Sequence, residues 1–149
     1  MSDRIVVMFG GRIHQIGSPR EIYHRPASRE VAGFIGQSNL FAAKVVARED
    51  ACIVVETAAG FIRCKGPSSF AVGATGHVMV RPEAIRLVRP NGGFAGRITE
   101  QHFLGNVVDY RVTLADGTAI TVQATGEEVS WPGDEVGLLL DEGRAWLLP

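Results

Sequence analysis

From residue 40 onward the chain is a succession of short apolar runs cut by turn residues, and that punctuation decides its fold class. Residues 41–48, 52–56, 61–65, 77–81, 94–104, 107–114, 119–124, 135–140 and 144–148 are rich in Val, Ile, Leu and Phe. Between them fall Glu49-Asp50, Ala59-Gly60, Gly66-Pro67, Asn91-Gly92-Gly93 and Asp116-Gly117. Such runs are too short for core helices, and no long helical pattern interrupts them. About nine or ten strands are expected, at the turn spacing of a sandwich or barrel.

Residues 1–36 read differently. Two short apolar runs flank Gly10-Gly11, a hairpin signal because both central turn positions can take positive φ. Ser18 can cap a helix, with Pro19 in its first turn and Glu21 three residues after the cap. Pro26 stops that helix. A second begins at Ser28, with Val31, Ala32, Phe34 and Ile35 on one apolar face and Gly36 at its end. A hairpin and two short helices cannot enclose a core. These residues are expected to be disordered, docked on the barrel, or buried against a second copy of the chain.

One hairpin admits a register argument. In "YRVTLADGTAITVQA" a two-residue loop at Asp116-Gly117 sets Leu114 opposite Ala119. A three-residue loop over 116–118 sets Leu114 opposite Ile120 and Val112 opposite Val122, placing all four on one face. Register follows the buried face, so the longer loop is expected. A hairpin turning near residues 57–60 likewise brings Cys52 and Cys64 nearly opposite each other.

Composition narrows the function. The net charge is -1 and aromatics make up 7% of residues, which argues against a basic, base-stacking nucleic-acid surface. No apolar run approaches the roughly 18 residues of a membrane span. Gly-Lys never occurs, so there is no P-loop, and neither G-x-G-x-x-G nor G-x-S-x-G is present. The four histidines are not at metal-ligand spacing. Trp146, in "AWLLP", reads as a core or interface anchor. The most suggestive polar group surrounds "RPEAIR": Arg81, Glu83 and Arg86 near a strand end, with the amides of Gly92 and Gly93 nearby. It suits a contact surface for a second subunit or for an anion.

The stretch "SDRIVVMFGGRIHQIGSPREIYHRPASREVAGFIG" (2–36) resembles the end of the nucleotide-binding domain in ATP-binding subunits of ABC importers. "VRPEAIRL" (80–87), "GRITEQHFLGNVVDYRVTLADG" (96–117) and "GDEVGLLLDEGRAWLLP" (133–149) resemble the transport-associated OB (TOBE) domain that follows it. The wording is most similar to spermidine/putrescine-type importers, with ferric-iron and sugar importers carrying similar tails. Phe9 and Glu30 depart from the family pattern, where Asn and an aromatic are usual.

The resemblance implies an OB-fold-like antiparallel barrel over 37–149, preceded by a nucleotide-binding-domain remnant over 1–36. It implies a regulatory and dimerisation role, a homodimer, and permease subunits as partners on the cytoplasmic face of the inner membrane. ATP and Mg would belong to the parent subunit. No cofactor, metal or catalytic residue is expected in this stretch, because the Walker motifs, signature and switch histidine of the family are absent from it. Residues 94–110 and the C-terminal strand are the expected dimer contacts. The alternative is a small oxyanion- or ligand-binding OB-type domain using Arg81, Arg86 and the Gly92-Gly93 amides.

Overall fold

The computed structural model describes residues 3–125 and 133–149, so Trp131 lies outside the described residues. Strands β1 (Ile5–Phe9) and β2 (Arg12–Gly17) form the first hairpin. Gly10 and Gly11 close it with φ of 56° and 76°, the left-handed pair that a two-residue turn requires. A bulge at His14 shifts the register, so Val6, Met8, Ile13 and Ile16 share one face. Helix α1 (Pro19–His24) is capped by the Ser18 hydroxyl, which accepts from the Glu21 amide. Helix α2 (Arg29–Ile35) is capped in the same way by Ser28 through Val31. Each cap satisfies one of the orphan amides of a helix start.

The expected apolar face of α2 forms only in part. Val31 and Ala32 are buried, but Phe34 is 66% exposed and meets the ring of Phe9 edge-on. Val31, Ile22 and Val7 make a small core with Ile5, Phe9 and Ile35 around it. The residues before the barrel are thus docked on it through their helices. The other hairpin face, with Val6, Met8, Ile13 and Ile16, stays exposed.

Ten further strands make two five-stranded antiparallel sheets. They are β3 (Asn39–Arg48), β4 (Ile53–Thr57), β5 (Gly60–Cys64), β6 (Thr75–Val80), β7 (Ile85–Val88), β8 (Phe94–Phe103), β9 (Val107–Leu114), β10 (Ala119–Thr125), β11 (Glu135–Leu140) and β12 (Trp146–Leu148). The first sheet runs β12-β6-β3-β4-β5 and the second β10-β9-β8-β11-β7.

The two sheets repeat one plan. Each starts with a ten-residue bulged strand, β3 or β8, which pairs with the next strand and with the one after the hairpin. Each half ends in a short 3-10 helix, Pro82–Ala84 or Glu142–Arg144, followed by a last strand. That last strand is exchanged. β7 joins the second sheet and β12 the first. A parallel bridge from Lys65 to Trp146 then links the ends of the first sheet into a barrel. The amide of Lys65 donates to the Ala145 carbonyl at 2.9 Å, and that of Leu147 returns to the Lys65 carbonyl at 2.7 Å. One continuous core, including Val55, Val78, Val108, Val112, Val122 and Leu147, lies inside both halves. Each such side chain withdrawn from water contributes on the order of 1.5–3 kcal/mol before entropy is counted.

One sequence expectation is corrected here. The β9–β10 loop has three residues, but it lies one position earlier than expected. Val112 faces Ile120 and Val122 faces Tyr110, and the amide of Leu114 bonds the Thr118 carbonyl. Moving a register by two keeps every side chain on its face, so burial could not distinguish the two choices. Asp116 makes the choice. Its carboxylate accepts from the Thr118 amide and hydroxyl, and Gly117 takes φ of 91°. The cysteines do come nearly opposite each other, one residue out of register. Cys64 faces Ile53 and is buried in the core, while Cys52 lies before β4 and contacts Glu49; both are free thiols.

Candidate functional site

The helices meet the barrel at Arg81. It follows β6, and Pro82 directly after it starts the 3-10 helix, which turns the chain toward the other sheet. The side chain points under α1 and α2 and is only 2% exposed. Nε and Nη2 donate to the Tyr23 carbonyl at 3.2 and 2.9 Å. Nη1 is within hydrogen-bond distance of the carbonyls of Ala32 (3.1 Å), Gly36 (3.1 Å) and Gln37 (2.9 Å). These oxygens belong to the last turns of both helices and the segment after α2, where helix ends leave carbonyls short of partners, although that of Ala32 also accepts the Gly36 amide at 3.4 Å. One guanidinium therefore caps two helix C-termini, where positive charge is also favoured by the helix dipole.

Tyr23 and Glu83 complete the clamp. The Arg81 guanidinium lies 4.2 Å from the centroid of the Tyr23 ring, within cation–π range. The Tyr23 hydroxyl donates a short hydrogen bond to the Glu83 carboxylate. Burial, the bond to Glu83 and its charge push the Tyr23 pKa up to about 12, against the opposing pull of Arg81 and Arg144. Burial draws the Arg81 pKa down, while Tyr23 and Glu83 act in the other direction. Arg144, from the second 3-10 helix, donates to the Glu83 carbonyl at 3.1 Å and to Asp141. The Trp146 indole N–H reaches the Pro26 carbonyl at 3.2 Å, so this half-buried ring ties β12 to the segment between the helices. Ala32 packs on Met79 and Leu148. On the outer side, the Gln15 carboxamide donates to the Arg25 carbonyl and accepts from the Ala27 amide.

The five residues singled out from the sequence do not form one site. Arg81 is not on a surface, and four carbonyl oxygens surround it. Glu83 holds Tyr23. Arg86 is exposed on β7, and with Glu83 it lines a cavity of about 880 Å3 beside β10 and β11. Gly92 and Gly93 lie past the opposite end of β7, roughly 13 Å of strand from Arg81 at 3.3 Å per residue. Gly93 is pressed against β11, where a Cβ would stand 2.2 Å from the Leu138 carbonyl oxygen. The β12 residues expected at a dimer contact are covered within the chain: Leu147 is inside the barrel and Leu148 is buried against Ala32 of α2. Tyr23 was missed. Its sequence signal is the pairing of a lone aromatic in α1 with an Arg-Pro-Glu turn, which only the docked helices bring together.

Two OB-like halves with exchanged last strands and a helical clamp define the architecture, and residues 78–148 match the TOBE domain family. The TOBE match lies in the second half of the chain, and over its whole length the chain is similar to part of the ATP-binding proteins of spermidine/putrescine import systems. It is 37% identical over 159 residues to the spermidine/putrescine import ATP-binding protein PotA of Marinobacter nauticus, covering all of this chain and 42% of that protein. The corresponding protein of Frankia alni is 40% identical over 168 residues, covering 100% and 36%. PotA 1 of Pseudomonas aeruginosa is 36% identical over 155 residues, covering 95% and 42%. The chain spans about two fifths of the length of these relatives. Among solved structures, the cytoplasmic molybdate-binding protein ModG superposes with a TM-score of 0.66 at 18% identity, over 74% of this chain and 96% of that one. That likeness is one of fold. No helix among the described residues is long and apolar enough to cross a membrane.

Proposed function

We propose that this chain is the C-terminal regulatory and dimerisation part of the ATP-binding subunit of an ABC importer, of the polyamine type. The observation that carries the reading is its whole-length similarity to spermidine/putrescine import ATP-binding proteins, at 37% identity to the Marinobacter relative. Residues 1–36 are on this reading the end of the nucleotide-binding domain, and 37–149 the TOBE barrel. The open face of Val6, Met8, Ile13 and Ile16 supports it, because a preceding domain would cover that face. ATP and Mg bind in the preceding part of the subunit, which works against permease subunits at the cytoplasmic face of the membrane.

The Arg81 clamp supports a mechanical role on this reading. Motion of the ATPase part passes to the barrel through α1 and α2 as a rigid body. Two barrels that stay paired keep two ATPase halves at high effective concentration, so their separation after hydrolysis is not dissociation. A regulator on the barrel can then bias the open or closed state. The pairing surface is the β8–β9 hairpin tip, where Phe103 and Leu104 are 65% and 56% exposed. The oxyanion-binding alternative, suggested by the ModG fold, loses Arg81 as a ligand because the guanidinium already faces four carbonyls.

Two measurements test the reading. Light scattering at high micromolar concentration is expected to give a dimer, reduced to a monomer by Phe103→Asp with Leu104→Asp. A wild-type monomer sinks the dimerisation role. Joined in frame behind the ATP-binding half of a spermidine importer, the chain is expected to restore uptake. A folded hybrid that hydrolyses ATP without import overturns the transporter assignment.

A further inference from the structure

Beside the clamp, between α1 and the second 3-10 helix, lies a cleft of about 330 Å3. Four permanently cationic side chains line it: Arg20 and Arg25 from α1 and its end, Lys65 after β5, and Arg144. They come from three separate stretches of sequence, brought together by the docking of α1 and by the β5–β12 bridge. Glu21 is the one carboxylate-bearing residue in the wall.

The positive charge there is largely uncompensated. Among the described residues the ion pairs are Arg63–Glu49, Arg97–Glu135, His102–Glu100 and Arg144–Asp141. Arg20, Arg25 and Lys65 take part in none of them. The floor is fixed, with the Arg25 guanidinium 5.6 Å over the Trp146 ring and the Trp146 N–H held by Pro26. His24, also in the wall, feels this field. Burial lowers its pKa first, then Arg20, Arg144 and Arg81 lower it further, against Glu83 alone. In a chain of net charge -1, such a concentration of like charge is unfavourable unless something offsets it.

We propose that this cleft binds a small polyanion carrying two or more negative charges on phosphate or carboxylate groups. The volume lies at the small end of ligand pockets and suits a molecule of pyrophosphate or citrate size. Arginines present forked donors matched to both head groups, and Lys65 adds a point charge. The ligand would touch α1 on one side and the barrel on the other. It therefore favours the docked arrangement over any state in which α1 lifts away. The inference is independent of dimerisation and of the transported solute.

Calorimetry at low ionic strength with pyrophosphate, citrate and spermidine tests it. Pyrophosphate or citrate is expected to bind and to slow amide exchange across residues 19–25, while spermidine does neither. Binding of one anion and not the other assigns the head group. Arg20→Glu with Lys65→Glu, both at exposed positions, is expected to weaken binding by at least about tenfold. Lys65→Gln alone gives a smaller loss, and Arg86→Glu on β7 gives none. No heat with either anion, or equal affinity in the double variant and the Arg86 variant, overturns the proposal.

Discussion

The Asn39 side chain and the Thr121 backbone exchange two hydrogen bonds across the two sheets. The carboxamide donates to the Thr121 carbonyl at 2.8 Å and accepts from its amide at 2.9 Å. Asn39 opens β3 and Thr121 is near the start of β10, so a side chain acts as one more strand residue on β10. Asn39 is a buried polar side chain and Thr121 is half-buried. Asn39→Ala leaves an amide and a carbonyl unpaired and is expected to cost roughly 1–3 kcal/mol in urea unfolding. Asn39→Asp is expected to cost at least as much, because its carboxylate would face the Thr121 carbonyl. An alanine variant as stable as wild type would show that the link contributes nothing.

Arg81→Ala would strip four carbonyls of their buried donor. The expected loss is on the order of 3 kcal/mol. Arg81→Lys keeps the charge but not the fork, and should recover only part of it. Hydrogen exchange locates the effect: residues 19–36 should exchange faster in the lysine variant while β8 and β9 stay protected. Uniform acceleration across the chain would mean that Arg81 holds the barrel rather than the helices.

Alkaline pH should loosen the same joint. The folded-state pKa of Tyr23 is raised from 10.0 to about 12, and that of Cys64, through burial and then the nearby Cys52, from 9.0 to about 12. A raised pKa stabilises the fold below the unfolded-state value, and the contribution is lost as pH rises toward the folded one. Stability is therefore expected to fall progressively from about pH 9 to about pH 12. Tyr23→Phe should remove the part that begins near pH 10. Chemical denaturation across that range, followed by fluorescence, checks it, and identical slopes for the two proteins would rule Tyr23 out.

Gly93→Ala is expected to be among the most damaging single-methyl changes in the chain. The added carbon would lie 2.2 Å from the Leu138 oxygen and 2.8 Å from its carbonyl carbon, both backbone atoms that cannot rotate aside. Since β11 is held on both sides, by β7 and β8, the strain should exceed about 2 kcal/mol. Gly105→Ala is not a clean control because Gly105 has φ of 93°. Gly33→Ala is one, at an open position within a helix, and should be neutral or mildly stabilising. Thermal melts of the two variants compare them directly.

The strands were legible in the sequence because Gly, Asp and Pro mark nearly every turn, and so were the capped helices at Ser18 and Ser28. What stayed hidden depends on partners distant along the chain. The turn at Asp116 was visible, but its register was not, since a slip of two conserves the faces. Arg81 looked like a surface charge because arginines at strand ends usually are. Its burial depends on carbonyls at Tyr23, Ala32, Gly36 and Gln37, and no local pattern announces which backbone oxygens a long side chain will reach. Phe34 fitted the helical period yet stands outside, against Phe9, because the hairpin offers only one face to the helices.

The exchange of β7 and β12 bears on how the protein is made. During synthesis β3 to β6 leave the ribosome early, but the strand that seals their sheet emerges only after β7 to β11. The first half must therefore wait with the edges of β5 and β6 unpaired, and unpaired edges invite association with other nascent chains. Closure of this barrel becomes a late event, reached only once Trp146, Leu147 and Leu148 are available, and a chain cut short of them would leave the first sheet open although all five strands of the second were already made.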